Sequence, residues 1–301
     1  LIVAAGEVLV DLFPQYQRVG GAPFNFAYHA KHLGMDVKFI TRIGDDGVGT
    51  NIFSMLEKNG FDTDLVQIDK THDTGRVIVT PDSRGGHQFE ILQGAAYDHI
   101  EFPDKPSDVS GGGAIELIYF GTLAQRTASG FNQLQTFLIK RDPATKCFYD
   151  INLRPGNFSN ENILASLQKT DILKLNDEEL DHIRAMFRLN HDDTGLSRWL
   201  IEHFAIEIVC LTKGPAGSAI ITADDYNSAT VPDFEIVDTV GAGDAYAAML
   251  AVGWLKGLSF KTILSMATDF SARICRIKGA VPEDPEFYEP FLTQLSGAEN
   301  A

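Results

Sequence analysis

The chain has 301 residues, 44% of them hydrophobic, and a formal net charge of −16. That length accommodates one large α/β domain or two small ones, with enough apolar residues for a sizeable core. The acidic surplus argues against nucleic acid or an anionic membrane surface as partner, because both are gripped by Lys and Arg.

No run is long and apolar enough to span a membrane. The start, LIVAAGEVLVDLF, is short, acidic and without a basic leader, so it reads as a core strand rather than a signal peptide. Cys147, Cys210 and Cys275 stand far apart in apolar runs, with neither disulfide nor metal-ligand spacing. They are expected to be buried free thiols in a reducing compartment, which points to the cytoplasm.

In chain order, residues 1–5 and 8–13 are short apolar strands. Residues 23–33 read as a helix with Pro23 in its first turn and Gly34 past its end. A strand at 37–43 and a helix at 48–59, closed by Gly60, follow. Strands at 76–80 and 88–92 flank the polar turn PDSRGG and predict a hairpin. From there the rhythm is regular: strands at 115–120, 147–151, 172–175, 206–212 and 218–222, and helices at 130–140, 177–187, 242–256 and 260–277. Strands alternating with helices predict an α/β fold, a doubly wound, mainly parallel sheet with helices on both faces. The early hairpin segments break that rhythm. They predict a small β-sheet lid on a single domain spanning 1–301, with lid strands inserted from about 8–20 and 75–100.

Three segments carry chemistry. A β-like run, PDFEIV, leads into DTVGAGDAYAA, where a turn with Gly241 and Gly243 opens a helix. Glycine lets backbone N–H groups approach an anion, and the helix start adds about half a positive charge. Asp244 in that turn is placed to accept a proton from an attacking hydroxyl during phosphoryl transfer. The same residues also suit a plain Gly-rich turn with an Asp cap. In VGGAPFNFA, Gly20 and Gly21 precede a helix and Asn25 sits in its first turn. That offers backbone and one amide to a polyhydroxyl ligand, or is simply a tight helix start. In LKLNDEEL, Asn176 and Glu179 share one face and suit a hydrated Mg²⁺ beside a phosphate, or a capping box. There is no Walker A sequence, nor a G-x-G-x-x-G in the first βα turn.

Taken together, GEVLVD, GGAPFNFA, NDEE, LTKGPAGS and DTVGAGDAYAA, in this order, resemble the ribokinase-like (PfkB) carbohydrate kinases over nearly the whole chain. The resemblance implies ATP and Mg²⁺ as cofactors and a sugar hydroxyl as phosphoryl acceptor. It makes Asp244 the base and Gly241, Ala242 and Gly243 the anion hole. Asp11, Gly20, Gly21 and Asn25 fall on the sugar side. Asn176, Thr212, Lys213, Gly214, Gly217 and Thr268 border the nucleotide, and Glu179 acts on Mg²⁺ through water. Members often hold a monovalent cation such as K⁺ near the positions of Asp238 and the Gly279–Ala280 turn. Lid edges that pair between subunits imply a homodimer. A sugar-binding member without turnover would have lost Asp244 or the glycines before it, and all are present.

GGAP, Leu9 and the D-x-N-x-R pattern of Asp150, Asn152 and Arg154 look more like fructokinases than ribokinases. The same D-x-N-x-R is similar to 2-keto-3-deoxygluconate kinases, because Arg154 can meet either a hydroxyl or a carboxylate. A nucleoside is a further alternative. Gln125 and Arg126 are candidates for the pocket rim, and Phe24 and Tyr97 for stacking on a sugar face.

Overall fold

A computed structural model describes residues 1–81, 87–231 and 234–298. Within them, β1 (Ile2–Ala5), β2 (Leu9–Leu12) and β3 (Gln17–Gly20) lead into helix α1 (Ala22–His32). Then come β4 (Val37–Gly44), α2 (Gly47–Lys58), β5 (Val66–Asp69), β6 (Gly75–Pro81) and β7 (His87–Ile91). The βα series continues with β8 (Leu117–Gly121), α3 (Ala128–Ile139), β9 (Lys146–Asp150), α4 (Asn160–Leu167), β10 (Ile172–Asn176), α5 (Asp177–Phe187) and α6 (Asp193–Phe204). It closes with β11 (Ile208–Thr212), β12 (Ser218–Ile221), β13 (Tyr226–Ala229), α7 (Ala242–Leu255), α8 (Phe260–Ile274) and α9 (Glu289–Ala298).

The large sheet runs β13-β12-β11-β10-β9-β8-β1-β4-β5, parallel from β11 to β5 and antiparallel only at β12 and β13. Its central strands are apolar on both faces, as a sheet covered twice requires. Ile2, Ala4, Phe39, Tyr119 and Phe148 pack under α1, α7 and α8, while Val3, Ala5, Phe120 and Tyr149 pack under α3 to α6. Helix α7 is buried nearly all round, and its run of Ala, Gly and Val lets α1 and α8 approach closely. Truncating one of its large members, Leu250, to Ala would cost about 2–5 kcal/mol.

A separate sheet, β3-β2-β6-β7, is joined by the antiparallel pairs β2/β3 and β6/β7 and the parallel pair β2/β6. The anticipated hairpin is present as β6/β7, and most of its turn, residues 82–86, lies outside the described residues. One sequence expectation fails here: of the β-like run PDFEIV, residues 234–237 form no strand, and 232–233 lie outside the described residues. Its place is a loop tied to α8, where Val237 and Asp238 N–H both donate to the Cys275 carbonyl. All three cysteines are free and buried.

In the large sheet β1 lies between β4 and β8, so the chain winds outward in opposite directions from this point. Ligands of such sheets bind beyond the carboxyl ends of the strands at this reversal. Glu7, Asp150, Asn176 and Thr212 all stand at or just past such ends.

Candidate active site

The centre is the start of α7. Gly241 caps the helix at φ 77°, a conformation glycine adopts without strain, and a side chain there would collide with Ala280. Ala280 is itself held from behind: buried His29 of α1 bonds its carbonyl at 3.0 Å and the Tyr288 hydroxyl at 2.8 Å. The N–H groups of Gly243 and Asp244 belong to the first helical turn, which has no intrahelical acceptor, and so form an anion-seeking end.

Asp244 joins the two halves of the site. Asn25 Nδ2, from the first turn of α1, donates to its Oδ2 at 2.7 Å. Burial, and then the charge of Asp150, raise the Asp244 pKa to about 6, against the lowering pull of Asn25, Lys174 and Arg154. Beneath the turn lies a charge pair of which sequence reading named Asp150 but not Lys174. Lys174 of β10, 6% exposed, donates to both oxygens of fully buried Asp150 at 2.9 and 3.1 Å. Tyr119 donates to the same carboxylate at 3.1 Å. The Lys174 ammonium is 3.3 Å from where a Gly243 side chain would begin, so it sits directly under the anion hole. Burial opposes its charge, but Asp150 and Glu179 outweigh that and keep it protonated. The available signal was a lysine inside the apolar run ILKLN, two positions before Asn176.

Beside the turn a cavity of about 610 Å³ is lined by Asn176, Thr212, Gly214, Gly217, Ala242, Gly243 and Thr268, among others. Thr268 presents a buried hydroxyl with no hydrogen-bond partner. Lys213 is elsewhere. Its ammonium binds Asp193 of α6 at 2.6 Å, outside the cavity lining, because that carboxylate gathers the local cations. Asn176 and Glu179 form the reciprocal capping box, and both Glu179 oxygens accept backbone N–H groups, from Leu153 and Asn176. Burial raises the Glu179 pKa, with Lys174 opposing. No cluster of three metal-ligating side chains occurs among the described residues. That donor set fits a magnesium ion met through water rather than directly.

Asp11 of β2 and Glu7 just past β1 lie close enough to Asp244 for its charge to act on both. Gly20 lies against the Asp11 carboxylate, and Gly21 caps α1 against the Glu7 carbonyl. Burial lifts Asp11 to about 6, with Arg154 opposing, and Glu7 to about 8. Glu7, which sequence reading passed over, is 3% exposed, and its Oε2, like Asn25 Oδ1, has no partner. Arg154 is exposed, and its charge acts on Glu7, Asp11 and Asp244. Asn152 makes the turn that carries it, at φ 39°.

Four rim or stacking candidates are structural instead. Arg126, its side chain 2% exposed, makes a bidentate pair with Asp98 at 2.7 Å and also holds the Leu92 carbonyl and Asn157. Gln125 is buried against Ser166 and Gln135. Phe24 packs on Tyr28 and Phe39 in the core, and Tyr97 is buried under the Arg126 guanidinium. Their apolar or planar bodies are consumed by packing before any ligand arrives.

Asp238 accepts N–H groups from Val240 at 3.1 Å and Gly279 at 3.0 Å. The Arg18 guanidinium lies 3.7 Å from the same carboxylate. A monovalent cation does not fit this arrangement, because it would have to share one carboxylate with a positive charge already there.

Sheet order and the glycine turn at the start of α7 define a doubly wound α/β protein, and comparison with known proteins specifies it further. The pfkB family carbohydrate kinase profile matches residues 7–286, and the chain belongs to that family. A probable fructokinase-2 of Arabidopsis thaliana is 27% identical over 95% of this chain and 93% of its own. A fructokinase of Solanum tuberosum is 27% identical over 99% of this chain and 96% of its own. Among solved structures, a fructokinase from Xylella fastidiosa with bound ATP superposes with a TM-score of 0.81 at 20% identity, covering 100% of this chain and 99% of that one. A sugar kinase from Pyrococcus horikoshii in complex with ATP gives 0.79 at 23% identity, over 93% and 94% of the two chains.

Proposed function

We propose that this kinase transfers the γ-phosphate of ATP to fructose, giving fructose 6-phosphate. The observation that supports the reading is the Asn25–Asp244 bond, which ties α1 to a carboxylate next to Ala242 and Gly243 of the 610 Å³ cavity. In the reaction Asp244 takes the proton of the acceptor hydroxyl. The hydroxyl oxygen bonds to the γ-phosphorus, and the bond to the ADP oxygen breaks. The backbone of Gly241, Ala242 and Gly243 and the Lys174 ammonium below stabilise the negative charge on the phosphoryl oxygens. Asn176, Thr212, Gly214, Gly217 and Thr268 hold the nucleotide. When bound, magnesium neutralises phosphate charge, met through water by Glu179.

Asp11, Gly20, Gly21, Asn25 and Arg154 hold the sugar. The electrostatics there favour a neutral one. Glu7, Asp11 and Asp244 crowd together, and burial already raises all three, so a carboxylate substrate would add a fourth acid opposed chiefly by Arg154. The fructokinase names of the relatives support the same choice. The rival, 2-keto-3-deoxygluconate, rests on the exposed Arg154 guanidinium, which makes no hydrogen bond among the described residues. A substrate panel on purified protein separates them: kcat/KM for fructose should exceed that for 2-keto-3-deoxygluconate at least ~10-fold, the scale of one missing charge-pair contact. The reverse ranking would contradict the fructose assignment. The small sheet is the lid that closes over the sugar and keeps water from the phosphoryl group, and its edge strands pair two subunits.

A further inference from the structure

Arg18 has no part in the chemistry outlined above, yet it connects three regions. It lies on β3 directly opposite Asp11 of β2, so the two side chains leave the small sheet on the same face. The guanidinium reaches the loop before α7, where Nη1 is 3.7 Å from Asp238 Oδ2. It rests on the backbone of Gly279, where a side chain would begin only 2.5 Å from Nη1. The Tyr16 ring, 5.0 Å from its central carbon, backs it on the small sheet. Asp238 in turn fastens Val240, one residue before the Gly241 cap, to Gly279, one residue before the Ala280 on which Gly241 packs.

We propose that Arg18 is a positioning residue for the phosphoryl-transfer turn, supplying from the small sheet the positive charge that holds Asp238 and Gly279 together, so that turnover needs no monovalent cation. The inference rests on the kinase reading. It also ties the lid to the anion hole: the turn gains its counter-charge only when β3 is seated against it. A salt link at such a distance gives little stability by itself, since both side chains are about a quarter exposed. Its effect lies in geometry, and a small misplacement of a reacting group lowers turnover steeply.

The test compares wild type with Arg18→Met, Arg18→Lys, Asp238→Asn and the Arg18→Met/Asp238→Asn double variant, using ATP and the fastest sugar of the panel. Rates are measured in choline chloride and in KCl at equal ionic strength, with thermal melts to establish folding. Wild type should turn over equally in both salts. Arg18→Met should lose about 10- to 100-fold in kcat with KM for ATP nearly unchanged, and Arg18→Lys should recover most of the loss. In the Asp238→Asn background the Arg18→Met change should cost little more. Potassium activation of wild type, wild-type kcat in folded Arg18→Met, or fully additive losses would each overturn the proposal. An inactive wild type would instead overturn the kinase reading on which it stands.

Discussion

In the proposed reading the phosphate end of the cleft is built from backbone and buried charge, whereas the sugar end is built from side chains that arrive on separate segments. Gly241, Ala242, Gly243 and Asp244 are consecutive, and the Lys174–Asp150 pair is locked beneath them by β10 and β9. Asp11, Asn25 and Arg154 come from β2, α1 and the loop after β9, and the Glu7 and Asn25 oxygens there still lack partners. The phosphate end is therefore complete before substrate binds, as a site that must stabilise one charge distribution should be. The other end keeps unmet polar atoms on Glu7 and Asn25, which in the proposed reading sugar hydroxyls satisfy, so acceptor identity would be decided there.

Removing a charge at the phosphate end should do the most damage. Lys174→Met leaves Asp150 buried and unpaired, so stability should fall by about 3–5 kcal/mol in denaturant titration. Adding Asp150→Asn should restore much of that stability without restoring turnover. If Lys174→Met were as stable as wild type, the buried pair would not be what supports the turn.

At the sugar end the expected effect is smaller and depends on pH. Folded Glu7 keeps its proton to about pH 8, against an ordinary value of 4.5 for the unfolded chain. Between these values the folded state binds more protons, so stability falls as pH rises through the window. Glu7→Gln removes that penalty. It should match wild type near pH 5 and exceed it by up to a few kcal/mol near pH 9, as read from melts across pH. A pH-independent difference between the two proteins would mean that Glu7 is ionised in the fold.

The smallest effect is expected from Lys213, which lies outside both ends. Its pair with Asp193 is partly exposed, so Lys213→Ala should cost no more than about 1 kcal/mol and leave KM for ATP unchanged. A KM increase of several-fold would place that ammonium on the nucleotide after all.

The two ends also differed in how much the sequence disclosed. Most of the series from residue 115 onward, and the glycine turn that opens α7, were readable because periodicity and closely spaced glycines are local signals. Strand β3, QRVG, has no apolar run and exists because it pairs with β2, so nothing local announced it. Helices α4 and α6 were likewise passed over. Asn176–Glu179 was open between phosphate site and capping box, and the structure has the box. Arg126 was read as a rim residue and Tyr97 as a stacking one because type and position alone do not reveal that Asp98, far away in sequence, claims the arginine. Lys174 was visible only as a charge out of place in a strand, and Arg18 acquires a role solely through a contact between the small sheet and the loop before α7.

The central claim is that Asp244 is the base that links both ends. Its most direct test is kcat for Asp244→Asn alongside the pH profile of wild-type kcat/KM. Asn preserves shape and the contact with Asn25, so the fold and sugar affinity should persist while kcat falls about 10²- to 10⁴-fold. In wild type kcat/KM should rise with pH up to the Asp244 value of about 6 and then level. A folded Asp244→Asn protein with wild-type kcat would contradict the account.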